Sequence, residues 1–510
     1  MRSNIVGFAT VAGTLIFSLV VGRAIAVHAA DANEGSPRVA DLQWPLAAAD
    51  RAYGAIDGKH LWQYVVQQAE ISRRYRDQGH PQFWGRIIGS SADAEDARWL
   101  ADKFTQIGLS NVHIQPLDLQ PQWFPQSWTI TAAAGGNSIS LTSAQPVYRS
   151  PGTQGSGLDV PAVYLGEGTP AEFMGRDVRG KAVFIINTGH VGGGAGAGAT
   201  TPLAMAASKG AAALFYIYAL LPGNVKYQAY PTGTNVPTFV LGSDDGHAIE
   251  EMIARAPAND PPHVKIRMDV QMVPNLKSAL VWGTIPGQTD ETIYIIGHRD
   301  GWFDASGDNG SGIASMLGIA EYYSKIPKSQ RRRTMTFIGL DGHHNSGEGA
   351  AVGDNWLADH KDQFFTKTAL MINTEHVSDV LTYQFGGKLG LTNMTAPAQW
   401  FAGGPSRPQL AKLVASAFQE FGLPAWKDPS MTPPAGDLSR FISFLPGVVY
   451  QSNDFIFFHT DANTPETVPS TGLESITRAY LKIIDQVNKL ELKDLAPMTD
   501  MNASAAVLSR

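Results

Sequence analysis

The stretch that decides the fold is Thr292-Ile293-Tyr294-Ile295-Ile296-Gly297-His298-Arg299-Asp300, followed at once by Gly301-Trp302-Phe303-Asp304-Ala305-Ser306-Gly307-Asp308-Asn309-Gly310-Ser311-Gly312. Residues 292–296 form a short apolar run that reads as a buried strand, which places His298 at its carboxyl end. Residues 310–324 then bring Ile313, Met316, Leu317, Ala320 and Tyr323 to one face, the spacing of a helix packed on a sheet. Short strands recur at 334–340, 369–372 and 448–450, and residues 473–490 close as a helix through Ile476, Tyr480, Ile483 and Val487. The alternation predicts an α/β domain over 280–495, with a mixed, mostly parallel sheet flanked by helices.

Upstream, residues 46–87 read as helices, and Ser90-Ser91-Ala92 opens another with Trp99, Leu100, Phe104 and Ile107 on one face. Gly108 ends it and residues 111–117 alternate like a strand, so 46–122 is read as the N-terminal part of the same domain. Residues 123–273 have a different texture, rich in Gly, Pro and small side chains, with short strands at 182–186, 213–218 and 238–241. They are read as a β-rich inserted domain. At the start, Arg2 precedes an apolar run at 5–21, and Ala24-Ile25-Ala26 and Val27-His28-Ala29-Ala30 offer small-residue cleavage sites. Residues 1–29 are therefore expected to be a signal peptide, making the protein periplasmic or secreted, with no membrane span in the mature chain. An uncleaved anchor fits less well, because Gly7, Thr10, Gly13 and Ser18 interrupt the run.

Composition narrows the chemistry. A length of 510 residues exceeds one ordinary core, and 44% apolar with 17% charged residues argues against disorder. The formal charge of −7, which becomes −9 once Arg2 and Arg23 leave with the first 26 residues, gives no basic field for nucleic acid. With no cysteine in the chain, disulfides, thiol catalysis and iron–sulfur clusters are excluded, and any metal must be held by His, Asp or Glu. The glycine-rich run from Gly189 to Gly198 follows a strand, but a dinucleotide site needs an acidic residue about 20 positions on. The first acid after Gly198 is Asp244, so the run is read as a flexible loop.

The carboxylates and histidines between 298 and 459 are the informative set. Taken singly, Asp308 could be a helix N-cap and His298 a satisfied histidine at a core edge. Together, successive strand ends deliver His298, then Asp341-Gly342-His343-His344, then Asn373-Thr374-Glu375-His376, while Phe457-Phe458-His459-Thr460 follows the last strand by a loop. Ligand sites in α/β sheets lie at that edge, and oxygen and nitrogen donors there suit zinc, with a carboxylate able to bridge two ions.

Gly297-His298-Arg299-Asp300-Gly301-Trp302 with Asp308-Asn309-Gly310-Ser311-Gly312, and later Phe458-His459-Thr460 with Thr464, resemble the active-site segments of the M28 zinc peptidases, in particular their glutamate carboxypeptidase-like branch. In the middle region, Asp177-Val178-Arg179-Gly180-Lys181-Ala182-Val183, Gly210-Ala211-Ala212-Ala213 and Val236-Pro237-Thr238 resemble a protease-associated (PA) domain. The resemblance implies a zinc-exopeptidase-like fold and one or two Zn²⁺ ions per chain, with Asp308 bridging, His298 and Glu375 on one ion, and His344 and His459 on the other. It further implies that Asp300 fixes the tautomer of His298.

The chain departs from the family at His343 and His344, where relatives carry two adjacent glutamates, a general base and a zinc ligand. His344 can still ligate, but the bare two-zinc cluster then carries about +2 rather than +1. His343 is a candidate base, its ordinary pKa of about 6.5 being suited to the role. Phe458 lacks a phenol common beside this histidine, Asn463 replaces a common acid, and Glu348 is an alternative base. The expectation is an exported metallohydrolase that cleaves a peptide or other amide bond, its partner being a peptide or N-acyl amino compound and a homodimer being compatible. The alternatives are a catalytically impaired binding protein on a peptidase scaffold and, behind it, an aminoacyl cyclase.

Overall fold

The structure is a computed structural model that describes residues 46–187, 195–257, 259–344, 352–386, 388–403, 407–423, 425–427, 437–453 and 456–495. The expected signal peptide, most of the glycine run and Glu348 lie outside these residues. The end of that run, from Ala195, already belongs to a helix, Ala195–Ser208, and so is not loop.

The run 292–296 lies inside a longer strand, Thr289–His298. It is flanked in parallel by Arg333–Leu340 on one side and Thr368–Thr374 on the other, and Val448–Asn453 extends the parallel set beyond Thr368–Thr374. Lys277–Ile285 and Ser110–Asp118 add antiparallel strands at one side, and Ala398–Phe401 with Ala425–Lys427 complete the eight-stranded sheet at the other. The fold is the expected mixed α/β sheet. Its central strands are mostly apolar because both faces are covered. Ile293 and Ile295 pack with Ile313 and Leu317 of helix Gly312–Ser324 and with Ile476 of helix Ser470–Val487. Tyr294 and Ile296 point the other way, into a cluster with Leu438 and Phe441. Because the four central strands run parallel, with His298 opposite Leu340 and Ile296 opposite Asn373, their carboxyl ends meet at one edge.

A second eight-stranded sheet is built from strands between Gln122–Ala134 and His263–Val273. Its loop at 226–230 rests on the edge of the first sheet: Gln228 donates its backbone N–H to the carbonyl of His459 at 2.9 Å, and Lys226 N and Asp461 Oδ1 pair at 2.9 Å. Tyr218 donates its hydroxyl to the carbonyl of Ile456 at 2.6 Å. Among the described residues no helix is long and apolar enough to cross a membrane.

Two local differences from the sequence expectation matter. The helix expected from residue 310 begins at Gly312, after one wide turn at Ser306–Ser311, because Asp308 (φ −112°, ψ 86°) and Asn309 (φ −130°, ψ 36°) are not helical. The hairpin Val380–Phe385 with Lys388–Thr395 and helix Pro408–Glu420 were not anticipated; the hairpin carries exposed Tyr383, Phe385, Leu391 and Met394, which blur its alternation.

Candidate metal centre

Asp308 is the hub. Its Oδ1 lies 3.2 Å from His298 Nε2 and 2.9 Å from His376 Nε2, while its Oδ2 lies 3.2 Å from His344 Nε2 and 3.1 Å from His459 Nε2. One carboxylate thus faces two pairs of imidazoles, one pair per oxygen. This is not an N-cap: Asp308 makes no capping bond to the following helix, whose start is instead held by Asn309. Asn309 donates Nδ2 to the carbonyls of His298 (3.1 Å) and Thr374 (2.9 Å), and its Oδ1 accepts from the backbone N–H of Gly312 and of His376, both at 3.2 Å. A single amide side chain therefore ties the helix start to both strand ends. Gly312 must be glycine at this junction, because a Cβ there would lie 2.1 Å from the Thr374 carbonyl oxygen.

Asp300 holds His344 more closely than His298. Its Oδ2 accepts from the backbone N–H of His344 at 2.9 Å and lies 3.0 Å from His344 Nδ1. His298 Nδ1 instead sits 3.1 Å from the Asp300 backbone carbonyl and 3.5 Å from its Oδ1. Asp300 therefore fixes His344 so that Nε2 faces Asp308, and its main chain does the same for His298. His343 is turned away from Asp308. Its Nδ1 lies 2.9 Å from Asp437 Oδ1, its Nε2 3.7 Å from Glu375 Oε1, and its ring stacks on that of His298 with centroids 4.2 Å apart. Glu375 accepts from Asn373 Nδ2 at 2.7 Å, and its carboxylate groups with His298 and His376 closely enough to share one ion.

His376 and His459 have positive φ, 46° and 57°, as do Phe303 (62°) and Ala305 (49°) in the loop between His298 and Asp308. Non-glycine residues rarely hold this conformation, and such strain gathers at functional sites. Behind the site, Arg86 donates to the carbonyls of Arg299 (2.8 Å), Asp304 (2.9 Å) and Ala305 (3.1 Å), pinning that loop. Arg299 is itself buried against Asp93 (2.7 Å), Asp341 (3.2 Å) and Asp96 (3.4 Å).

The donor set fits zinc. His298 Nε2, Asp308 Oδ1 and both ring nitrogens of His459 are buried without a hydrogen-bond partner, and these nitrogen and oxygen donors are of the kind that a zinc ion takes. Burial raises the Asp308 and Asp300 carboxyls, but the surrounding histidines outweigh it and hold both well below the usual carboxylate range. Burial lowers His344, yet the carboxylates of Asp308 and Asp300 push it up to about 9. At His459 burial wins over Asp308 and holds the ring down to about 3, in the neutral form that ligates metal.

Aromatic rings wall the site. Phe458 stacks on His459 at 3.6 Å, and Trp302 lies 4.6 Å from His344 and 4.7 Å from His459. Tyr230 of the second sheet's domain comes within 4.9 Å of His459, centroid to centroid. A narrow cleft borders Asp300, Trp302 and His344, with Ile87, Trp123 and Tyr148 among its other lining residues. All five metal-ligand candidates named from sequence thus converge. His376, Asn309, Asp437 and Tyr230 were not chosen there. His376 had a signal, since it directly follows Glu375 at a strand end; Asp437, 94 residues from His343, had none.

Residues 281–483 match the family profile of peptidase family M28. No curated protein sequence matches the chain. Among solved structures, a Peptidase M28 precursor from Shewanella amazonensis SB2B aligns with a TM-score of 0.64 at 17% identity, over 87% of this chain and 98% of that one. BSAP, a zinc aminopeptidase from Bacillus subtilis, aligns with 0.56 at 16%, over 87% and 98%. The aminopeptidase from Aneurinibacillus sp. strain AM-1 aligns with 0.55 at 17%, over 86% and 96%. At these identities the likeness is one of fold.

Proposed function

We propose that the chain, whose residues 281–483 match the profile of peptidase family M28, is an exported metallopeptidase that hydrolyses an amide bond in a peptide or acylated amino compound, with two zinc ions that would share the Asp308 carboxylate. The observation that carries this reading is the division of the Asp308 carboxylate between two histidine pairs. His298, His376 and Glu375 would hold one ion, and His344 and His459 the other. The ions, when bound, would polarise the amide carbonyl and make the attacking water more acidic.

The remaining work falls to the chain's own side chains. Asp300 keeps Nε2 of His344 aimed at the centre by engaging its Nδ1. His343 donates Nδ1–H to Asp437, which leaves Nε2 to take the proton from the attacking water. The same nitrogen then returns that proton to the departing amine as the C–N bond breaks. The amino end of a peptide is the favoured end, because two of the three fold likenesses are named aminopeptidases. Export rests on the basic, apolar and small-residue order of residues 1–30.

The His343-His344 pair, in place of two glutamates, favours a second reading in which the scaffold binds peptides without cutting them. Aminoacyl-nitroanilides and a dipeptide library, incubated with zinc-loaded and chelator-treated protein, separate the two. Chelator-sensitive cleavage is expected. Peptide binding by zinc-loaded protein with no cleavage would overturn the peptidase reading.

A further inference from the structure

The hydrogen-bond donors of the centre are unevenly distributed. The imidazoles of His298, His344, His376 and His459 face Asp308, and Asp300, Glu375 and Asp437 are acceptors. None of them is placed to donate to the oxygen of a bound amide carbonyl, where negative charge develops during hydrolysis. Phe458, stacked on His459, has no hydroxyl. Tyr230 does. Its ring meets His459 edge-on (4.9 Å, 73°), Trp302 edge-on (5.5 Å, 64°) and lies nearly parallel to His344 (6.4 Å, 13°).

Both domains fix the segment that carries it. Gln228 N–H reaches the His459 carbonyl (2.9 Å), Gln228 Nε2 reaches the Pro146 carbonyl (2.9 Å), and the Ala229 carbonyl accepts from Tyr148 N–H (3.0 Å). A donor held this way needs no reorganisation at the moment of reaction.

We propose that the domain containing residues 122–273 completes the catalytic site, with Tyr230 as a catalytic residue that donates a hydrogen bond to the carbonyl oxygen of the scissile amide. The proposal rests on the metallopeptidase reading. Two consequences follow. The domain is part of the active site rather than a spectator, and its separation from His459 would lower turnover without removing metal.

Tyr230→Phe tests this while keeping the ring and its packing. With zinc content unchanged, kcat should fall by about 10²- to 10³-fold, the usual loss for one such donor, with KM little altered. Binding of 1-amino-3-methylbutylphosphonate, a tetrahedral anionic mimic, should weaken at least about tenfold by calorimetry, as for a hydrogen bond to a charged group. A variant indistinguishable from wild type in both kcat and phosphonate affinity overturns the proposal. If wild type binds the phosphonate but cleaves nothing, and Tyr230→Phe weakens that binding, the peptidase reading fails while the Tyr230 contact stands. If zinc-loaded wild type neither cleaves peptides nor binds the phosphonate, both fall.

Discussion

His343 Nδ1 lies 2.9 Å from Asp437 Oδ1, and the pair brings together residues 94 positions apart. With Nδ1–H given to Asp437, Nε2 is the nitrogen left to act as a base in the proposed mechanism. His343→Ala should therefore lower kcat by about 10² to 10⁴-fold while zinc content stays unchanged. Restoring a carboxylate with His343→Glu alone would set it against Asp437, so recovery should be greater in His343→Glu combined with Asp437→Asn. Steady-state kinetics with parallel metal analysis of the three variants checks this; wild-type turnover indifferent to His343→Ala removes His343 from the mechanism.

The metal-free protein should show an unusual pH profile. His344, raised to about 9, stabilises the fold fully below its unfolded value near 6.5, and that contribution is lost as pH rises to about 9. Asp300 and Asp308, both depressed, stabilise above about pH 4 and lose this as pH falls. His459, lowered to about 3, costs stability below about pH 6.5. Stability of the metal-free form should therefore peak near pH 6.5 and decline toward pH 9, by up to about 3 kcal/mol from His344. Zinc displaces the same proton and binds more tightly as pH rises, so the gap in Tm between zinc-loaded and metal-free protein should widen over that range. Calorimetric melts from pH 5 to 9 measure it; a gap that narrows contradicts the assignment of His344.

Arg299 stands among Asp93, Asp96 and Asp341 with 1% of its side chain exposed. Arg299→Met leaves buried Asp93 and Asp341 without their cation and Asp96 with Arg86 alone (3.8 Å), a loss of about 3–5 kcal/mol. Burial already pushes Asp96 up to about 6 with the arginines present, so without Arg299 the loss should shrink in acid, where the acids can protonate. Urea unfolding at pH 5 and pH 8 gives both numbers; equal losses would show that packing, not charge, is what Arg299 supplies.

Export predicts a shortened mature protein. Intact-mass analysis of material from the periplasm or medium should show an N-terminus between about Val27 and Asp31. Full-length chain recovered in the membrane fraction would contradict it.

The sheet and its ligand-bearing edge were legible in the sequence because a buried parallel strand is a short apolar run and its end is marked by an abrupt polar turn, as at Ile296-Gly297-His298. The Asp308 turn was placed correctly but its shape was not, since the wide turn at Ser306–Ser311 depends on Asn309 reaching the His298 and Thr374 carbonyls, a contact across 65 residues. Choosing Glu375 from its segment left out His376, whose Nε2 is the atom turned toward Asp308; that orientation comes from a positive φ no local pattern announces. Asp437 and Tyr230 reach the site from distant elements and carry no motif of their own. Strand periodicity is local, whereas the supporting contacts of a site are tertiary.

The proposed centre depends on Asp308 as a bridge. An anomalous difference map at the zinc edge, from a zinc-soaked crystal of the wild type, tests this most directly. It should show two peaks about 3.5–4 Å apart, the separation of a two-metal site. One should contact Asp308 Oδ1 and His298 with His376 or Glu375, the other Asp308 Oδ2, His344 and His459. In His376→Ala the first peak should weaken while the second remains. A single peak, or zinc bound without contact to Asp308, would contradict the account.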